Sequence, residues 1–487
     1  MRVNELVFRR GWRGAVVLLA GLLGAAALPA APAVAVHGAV PGDFNGDGYR
    51  DAVLPAPGAN VAGKERAGAV VVLYGAKTGL SATRRALITQ NTAGVPDTAE
   101  AGDGFGSATA TADLNRDGYA DLVVGAPFES TAKGAEAGSV TVLWGSRSGL
   151  TTGTDLPASA TAGMDPYHYG ADLAATRGAS AARSEVLVAS WGGAVRFTGP
   201  FTRTGGYGAS AVAADSSWGD SVALGDFDGD GSPEHVNVTY GQGGETGGFV
   251  FVDPEDQDHV GLPSRLTHGN GHIAATGDVN GDGYDDLVVG DPDEPEVAGV
   301  DGASGGRVLV WRGSAAGIAP DAVPEQITQD TAGVPDASEK GDVFGGALTV
   351  ADLNRDGLAD LVIGAPRESV GTKAQAGQVT VVPGRRTGVL GTGSYAFTQD
   401  TAGVPDASEA GDGFGTTVAV GDVNRDARPE LFVSASGENE STGAVWTFPG
   451  FTTGPTAARS RVFTAPSVGL TQQNSVLLGG YGLGWVI

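Results

Sequence analysis

Six short stretches of the chain set oxygen-bearing side chains at loop positions 1, 3, 5 and 9, the pattern a hard cation asks of a tight turn. They are Asp43, Asn45, Asp47 and Asp51; Asp113, Asn115, Asp117 and Asp121; Asp226, Asp228, Asp230 and Glu234. The others are Asp278, Asn280, Asp282 and Asp286; Asp352, Asn354, Asp356 and Asp360; and Asp422, Asn424, Asp426 and Glu430. Position 7, held by Tyr49, Tyr119, Ser232, Tyr284, Leu358 and Arg428, completes each candidate ligand set. Calcium, at up to six sites, is the expected cofactor. Position 6 needs a sharp turn and is glycine in five loops; Ala427 in the last predicts strain there and the weakest site.

Charge supports this chemistry. Loop positions 1, 3, 5 and 9 hold nineteen of the 56 acidic side chains, so six divalent ions would cancel twelve charges of a chain whose formal net charge is −26. The same acidity, with no cluster of Lys and Arg, argues against nucleic acid as a partner.

Other readings of reactive residues are weaker. Paired carboxylates could serve a glycosidase, but repetition in six similar loops favours ligation, since catalysis needs one unlike pair. Gly58 to Lys64 has phosphate-loop spacing, yet Glu65 follows where a hydroxyl is needed. Gly302-Ala-Ser304-Gly-Gly306 has the spacing of a nucleophile elbow, but a strand-like run follows it rather than a helix. The histidines His37, His168, His235, His259, His268 and His272 share no zinc spacing, and the absence of cysteine removes thiolate chemistry.

The elements that must carry the loops are strands. Leu122-Val-Val, Leu287-Val-Val and Leu361-Val-Ile follow position 9 and stop at Gly or Pro, as buried strands do. Ala108 to Ala112 and Ala347 to Ala351 precede the loops, and Ala69 to Tyr74, Ser139 to Trp144, Arg307 to Trp311 and Gln378 to Val382 follow. A shorter fourth run comes at Ala86 to Thr89, Gln326 to Thr328 and Ala396 to Thr398. Four strands per unit make one blade, and units spaced roughly 50 to 75 residues apart predict seven. A third, eroded unit from about Asp165 to Gly199 keeps Tyr169-Gly170 and the strand Glu185 to Ala189 but no acidic pattern, so no metal is expected there; Asp172 stands in for its missing aspartate. The fold expected is all-β, a seven-bladed β-propeller of four-stranded antiparallel blades with calcium-binding loops. The tail, including Val476 to Leu478 and Gly484 to Ile487, is expected to pair with the first blade.

Phe105-Gly106, Phe344-Gly345 and Phe414-Gly415 precede these loops, and the following strands end in Gly125-Ala-Pro127 or Gly364-Ala-Pro366. The chain thereby resembles the FG-GAP repeat of the integrin α-subunit N-terminal β-propeller. An EF-hand is excluded, because its position 12 would fall on Leu54, Val124 or Ile363 inside a strand. The resemblance implies that the metal loops share one face of the disc. It also implies that the near-identical segments Thr92 to Asp97, Thr331 to Asp336 and Thr401 to Asp406 lie on the opposite, ligand-type face.

Arg2, Arg9, Arg10 and Arg13, an apolar run from Ala15 to Leu28 and Ala33-Val-Ala35 read as a secretory signal peptide over 1–35, with the propeller over 36–487. The expectation is a secreted monomer without a stable membrane anchor, acting as a binding or adhesion module for an extracellular protein or polysaccharide, and not an enzyme. The alternative is a polysaccharide lyase or hydrolase using the axial pocket. Tyr167, His168, Tyr169, Trp191, Phe197, Phe201, Tyr207 and Trp218 form the one aromatic region, read as core or as a sugar or peptide platform.

Overall fold

In the computed structural model the described residues are 41–158, 167–191, 193–212, 219–239, 241, 246–253, 264–295 and 300–482. The signal-peptide reading, Asp165, His37, His259, Trp218 and Gly484 to Ile487 lie outside them.

Every stretch of buried β-branched residues forms a strand, and the strands assemble as seven four-stranded antiparallel sheets among the described residues. Each sheet is a meander of four consecutive strands, as expected where two-strand hairpins repeat. The second strands are Asp51–Ala56, Asp121–Ala126, Glu185–Val188, Glu234–Thr239, Asp286–Asp291, Asp360–Ala365 and Glu430–Ala435, one per blade. All their residues are buried, because both faces of the strand are covered by neighbouring blades. That is why Leu122-Val-Val, Leu287-Val-Val and Leu361-Val-Ile read as continuous apolar runs, whereas Glu234–Thr239 alternates and buries His235 and Asn237.

Innermost strands contact each other in sequence around a ring, from Pro41–Gly42 through Ala108–Ala112, Leu173–Thr176, Gly219–Gly225, Ile273–Gly277 and Ala347–Ala351 to Phe414–Gly421, which returns to the first. The seven-bladed propeller is thus the observed architecture. Blades meet closely: a Cβ on Gly125 would lie 2.1 Å from the Gly170 carbonyl oxygen of the next blade. Only glycine fits such an approach.

Ring closure uses the tail. At the start of blade 2, Phe105 N–H donates to the Ala67 carbonyl of blade 1 at 3.0 Å and Gly106 N–H to the Gly125 carbonyl of its own blade at 2.9 Å. Between blades 7 and 1, Leu478 N–H donates to Thr442 at 3.0 Å and Gly479 N–H to Pro55 at 2.7 Å. Leu478-Gly479 therefore takes the Phe-Gly place of blade 1. Val476 and Leu478 are buried in a core with Leu54, Val71 and Phe463.

Candidate metal centre

Each acidic stretch is the hairpin between the first and second strands of its blade, with position 9 as the first residue of the second strand. In the first hairpin Asp43 accepts from the N–H groups of Asp47 at 3.1 Å and Gly48 at 2.9 Å. Asn45 Oδ1 accepts from Asp47 N–H at 2.8 Å, and Asp47 Oδ1 from Tyr49 N–H at 3.0 Å. These bonds turn the side chains of positions 1, 3 and 5 inward, so the local sequence itself curls the loop. The same bonds recur in hairpins two, five, six and seven, through Asp113, Asn115 and Asp117, Asp278, Asn280 and Asp282, Asp352, Asn354 and Asp356, and Asp422, Asn424 and Asp426. Hairpin four keeps those of Asp226, Asp228 and Asp230 to Gly231, Asp230 and Ser232. Position 7 can offer only its main-chain carbonyl where the residue is Leu358 or Arg428.

The position-9 carboxylates are anchors as well as candidate ligands. Asp51 Oδ2 accepts from Phe44 N–H at 3.0 Å, and its Oδ1 from Gly75 N–H at 2.9 Å. Asp121, Asp286 and Asp360 repeat both bonds. Glu234 and Glu430 repeat the first. Burial pushes Asp51, Asp121, Asp360 and Glu430 up to about 7, against the backbone donors that lower them, and the other loop carboxylates push the same way. Glu234 is pushed to about 8, whereas Asp286, beside Arg312, reaches about 6. Such carboxyls bind a proton readily and would release it to a cation.

The donor set fits a hard divalent ion. At hairpin four Asp226, Asp228 and Glu234 each bring an oxygen within 4.8 Å of the others. Asp226 Oδ1 is buried there without a hydrogen-bond partner, a lone acceptor among acceptors. Ala427 adopts φ 66° and donates to Asp422 Oδ2 at 2.9 Å, as the glycines do, so the loop keeps its shape and the backbone carries the expected strain.

Sequence reasoning missed the arginines. Arg177 lies 3.3 Å from Asp113 and Arg203 donates to Asp117 at 2.6 Å, both from blade 3. Arg312 reaches Asp286 at 3.0 Å and Glu325 at 2.9 Å. Nothing local to the acidic stretches signals these partners. Blade 3 has, in place of an acidic hairpin, residues 177–184 with a short 3-10 turn at Ala181–Arg183. Asp172 is not in that hairpin: it starts the innermost strand from the other end and accepts from Val222 N–H at 3.0 Å.

The remaining motifs resolve as follows. Strands, not helices, follow both glycine-rich motifs, at Ala69–Leu73 and Arg307–Trp311. His272, buried, contacts Asp220 at 3.0 Å through Nδ1 and Asp293 at 2.8 Å through Nε2. Burial opposes its protonation, but the two carboxylates prevail and raise it to about 10. Both nitrogens are occupied, which suits an ion-paired support better than proton transfer near neutrality. His235 contacts Glu185 at 2.9 Å in a second buried group that includes Arg196. The aromatic region divides: Tyr169, Phe197 and Phe201 are core. Tyr167, 40% exposed, stacks on His168 at 4.1 Å, and Trp191 meets His168 edge-on at 4.3 Å. Around the strand ends of blades 5 to 7, Ile273, Ala347, Leu348 and Val418 pack with Thr416 and Thr417 around a recess too tight for a water molecule.

A family model described as FG-GAP repeat matches residues 35–73, 105–143, 270–311, 344–382 and 414–448. These fall on blades 1, 2, 5, 6 and 7. Integrin alpha-IIb of Mus musculus is 32% identical over 237 residues, covering 47% of this chain and 21% of the integrin. Phosphatidylinositol-glycan-specific phospholipase D of Rattus norvegicus is 35% identical over 122 residues, covering 25% of this chain and 14% of that protein. The chain thus spans well under half the length of these relatives. A crystal structure of an exotype rhamnogalacturonan lyase superposes with TM-score 0.41 and 15% identity, over 88% of this chain and 76% of that one. The chain thus carries FG-GAP repeats on five of its seven blades and is similar in sequence to integrin α subunits.

Proposed function

We propose that the protein is a secreted, calcium-stabilised binding module that presents one face of a rigid propeller to an extracellular protein or polysaccharide. The hairpin carboxylates would hold calcium, which supplies charge neutralisation and fixed coordination. The chain's own residues do the rest: Asp43 and its counterparts curl the hairpins, and Asp51, Asp121, Asp286 and Asp360 tie theirs to a residue just past the end of the third strand. Extracellular modules of this class bind calcium at about 10⁻⁴ to 10⁻³ M, in keeping with a role outside the cell. No helix among the described residues is long and apolar enough to cross a membrane.

The observation that carries the binding reading is the aromatic group of Tyr167, His168 and Trp191. It sits at the strand ends opposite the hairpins, where Tyr167 Oη donates to Glu136 at 2.9 Å. An exposed ring with a polar rim suits a sugar ring or a peptide side chain. Expected: the full chain captures a cell-wall polysaccharide or a secreted protein in calcium, and Tyr167→Ala with Trp191→Ala reduces capture at least tenfold without lowering the melting temperature by more than a few degrees. Capture by this variant at the wild-type level would sink the assignment of the face.

The rival reading, an extracellular lyase or hydrolase, draws on the unlike polar residues near His272, Asp220 and Asp293. Product release from pectic or glycosidic substrates, abolished by His272→Gln, would favour it.

A further inference from the structure

Three acidic groupings, each with one exposed and two buried carboxylates, lie away from the hairpins, each at a junction between consecutive blades. At the first, Gln90 follows the outer strand Arg85–Ile88 of blade 1. Glu100 and Asp103 belong to the connection into blade 2, and Glu129 to the loop after its second strand. In a meander of antiparallel strands both segments emerge at the end opposite the first hairpin.

Glu100, Asp103 and Glu129 follow Gln90 by 10, 13 and 39 residues. Gln329, Glu339, Asp342 and Glu368 repeat that spacing between blades 5 and 6, and Gln399, Glu409, Asp412 and Glu438 repeat it between blades 6 and 7. The glutamines, the aspartates and the second glutamates are all at most 4% exposed.

Each glutamine donates through Nε2 to the buried glutamate, at 2.6, 2.5 and 2.7 Å. That leaves Gln90 Oε1, Gln329 Oε1 and Gln399 Oε1 buried without a hydrogen-bond partner. A buried acceptor left unmade is costly, and here the same one recurs at all three junctions. At the first two junctions one oxygen from each of the three acidic residues lies within 4.8 Å of the others. Ligands on opposite sides of a calcium ion are separated by about that distance, twice a bond of about 2.4 Å.

We propose that these three junctions are a second series of hard divalent cation sites, distinct from the hairpins, in which a glutamine carbonyl and three carboxylates bind calcium between neighbouring blades. Burial first, then the surrounding carboxylates, pushes Glu129, Glu368 and Glu438 up to about 7, a repulsion that a cation relieves. Each site ties the outer strand of one blade to the strand-linking loop of the next, on the face to which a ligand is assigned. The inference stands on its own residues and does not rest on occupancy of the hairpins.

Manganese, a calcium surrogate with an anomalous signal, tests this on the unaltered chain. Crystals soaked in manganese are expected to show anomalous peaks within the Gln90, Gln329 and Gln399 groupings. Peaks confined to the hairpins, or none, overturn the proposal, while peaks only in the groupings would support it and count against the hairpins. In solution, the chain carrying Glu129→Gln, Glu368→Gln and Glu438→Gln is expected to bind three fewer calcium ions by equilibrium dialysis. An unchanged number overturns it.

Discussion

Asp51, Asp121, Asp360 and Glu430 sit at the junction between hairpin and strand with pKa values near 7 in the metal-free fold, above their ordinary 3.8 and 4.5. A carboxyl whose folded pKa is raised binds its proton more tightly in the fold than in the unfolded chain. Its contribution to stability is complete below about pH 4 and is lost as pH climbs through 7. Calcium replaces the proton, so the rise in melting temperature on adding calcium to chelated protein is expected to grow between pH 5 and pH 8. A rise that is flat or shrinks over that range would contradict the ligand assignment. Ala427, at φ 66°, predicts a second effect: Ala427→Gly should stabilise by on the order of 0.5–1 kcal/mol in thermal unfolding. An unchanged or lower melting temperature would mean the turn is not strained.

At the scale of elements, hairpins that look alike in sequence are set apart by what the next blade brings to them. Arg177 and Arg203 partner Asp113 and Asp117, while hairpin four keeps Asp226 Oδ1 without a partner. Guanidinium groups on candidate ligands compete with a cation. Removing both, as Arg177→Ala with Arg203→Ala, is expected to tighten calcium binding at this hairpin by about two- to thirtyfold, given about 0.2–1 kcal/mol for each of the two pairs. Calorimetric titration against an Asp113→Ala, Asp117→Ala reference that lacks the site would measure it. Weaker binding would show that the arginines organise the loop rather than block it. The arginine at position 4 is a cement of another kind: Arg116 donates to the carbonyls of Arg177 and Gly178, at 2.8 and 3.0 Å, and so joins blade 2 to blade 3.

At the scale of the whole molecule, a ring of like blades is as strong as its closure. Leu478 and Val476 are fully buried against blade 1, and Gly479 supplies the bond that Gly106 supplies one blade on. Loss of a buried leucine side chain costs about 2–5 kcal/mol. A chain ending at Ser475 is therefore expected to melt well below one ending at Gly482, by differential scanning calorimetry. Equal melting temperatures would show that the ring closes without the tail.

Sequence alone determined most strands of blades 1, 2, 5 and 6, the blade repeat and the six acidic hairpins, because each is written within a few consecutive residues: a β-branched run, a Gly or Pro stop, an Asp-x-Asn-x-Asp turn. It also determined that blade 3 has no acidic loop. Only the tertiary structure decided which arginine faces which carboxylate, which aromatics are core and which are exposed, and that Leu478-Gly479 stands in for a Phe-Gly pair. The spacing of Gln90, Glu100, Asp103 and Glu129 was legible as a repeat, but not as a cluster. Its meaning needs two blades to meet, and contact between residues 39 apart is settled by the ring and not by the chain between them.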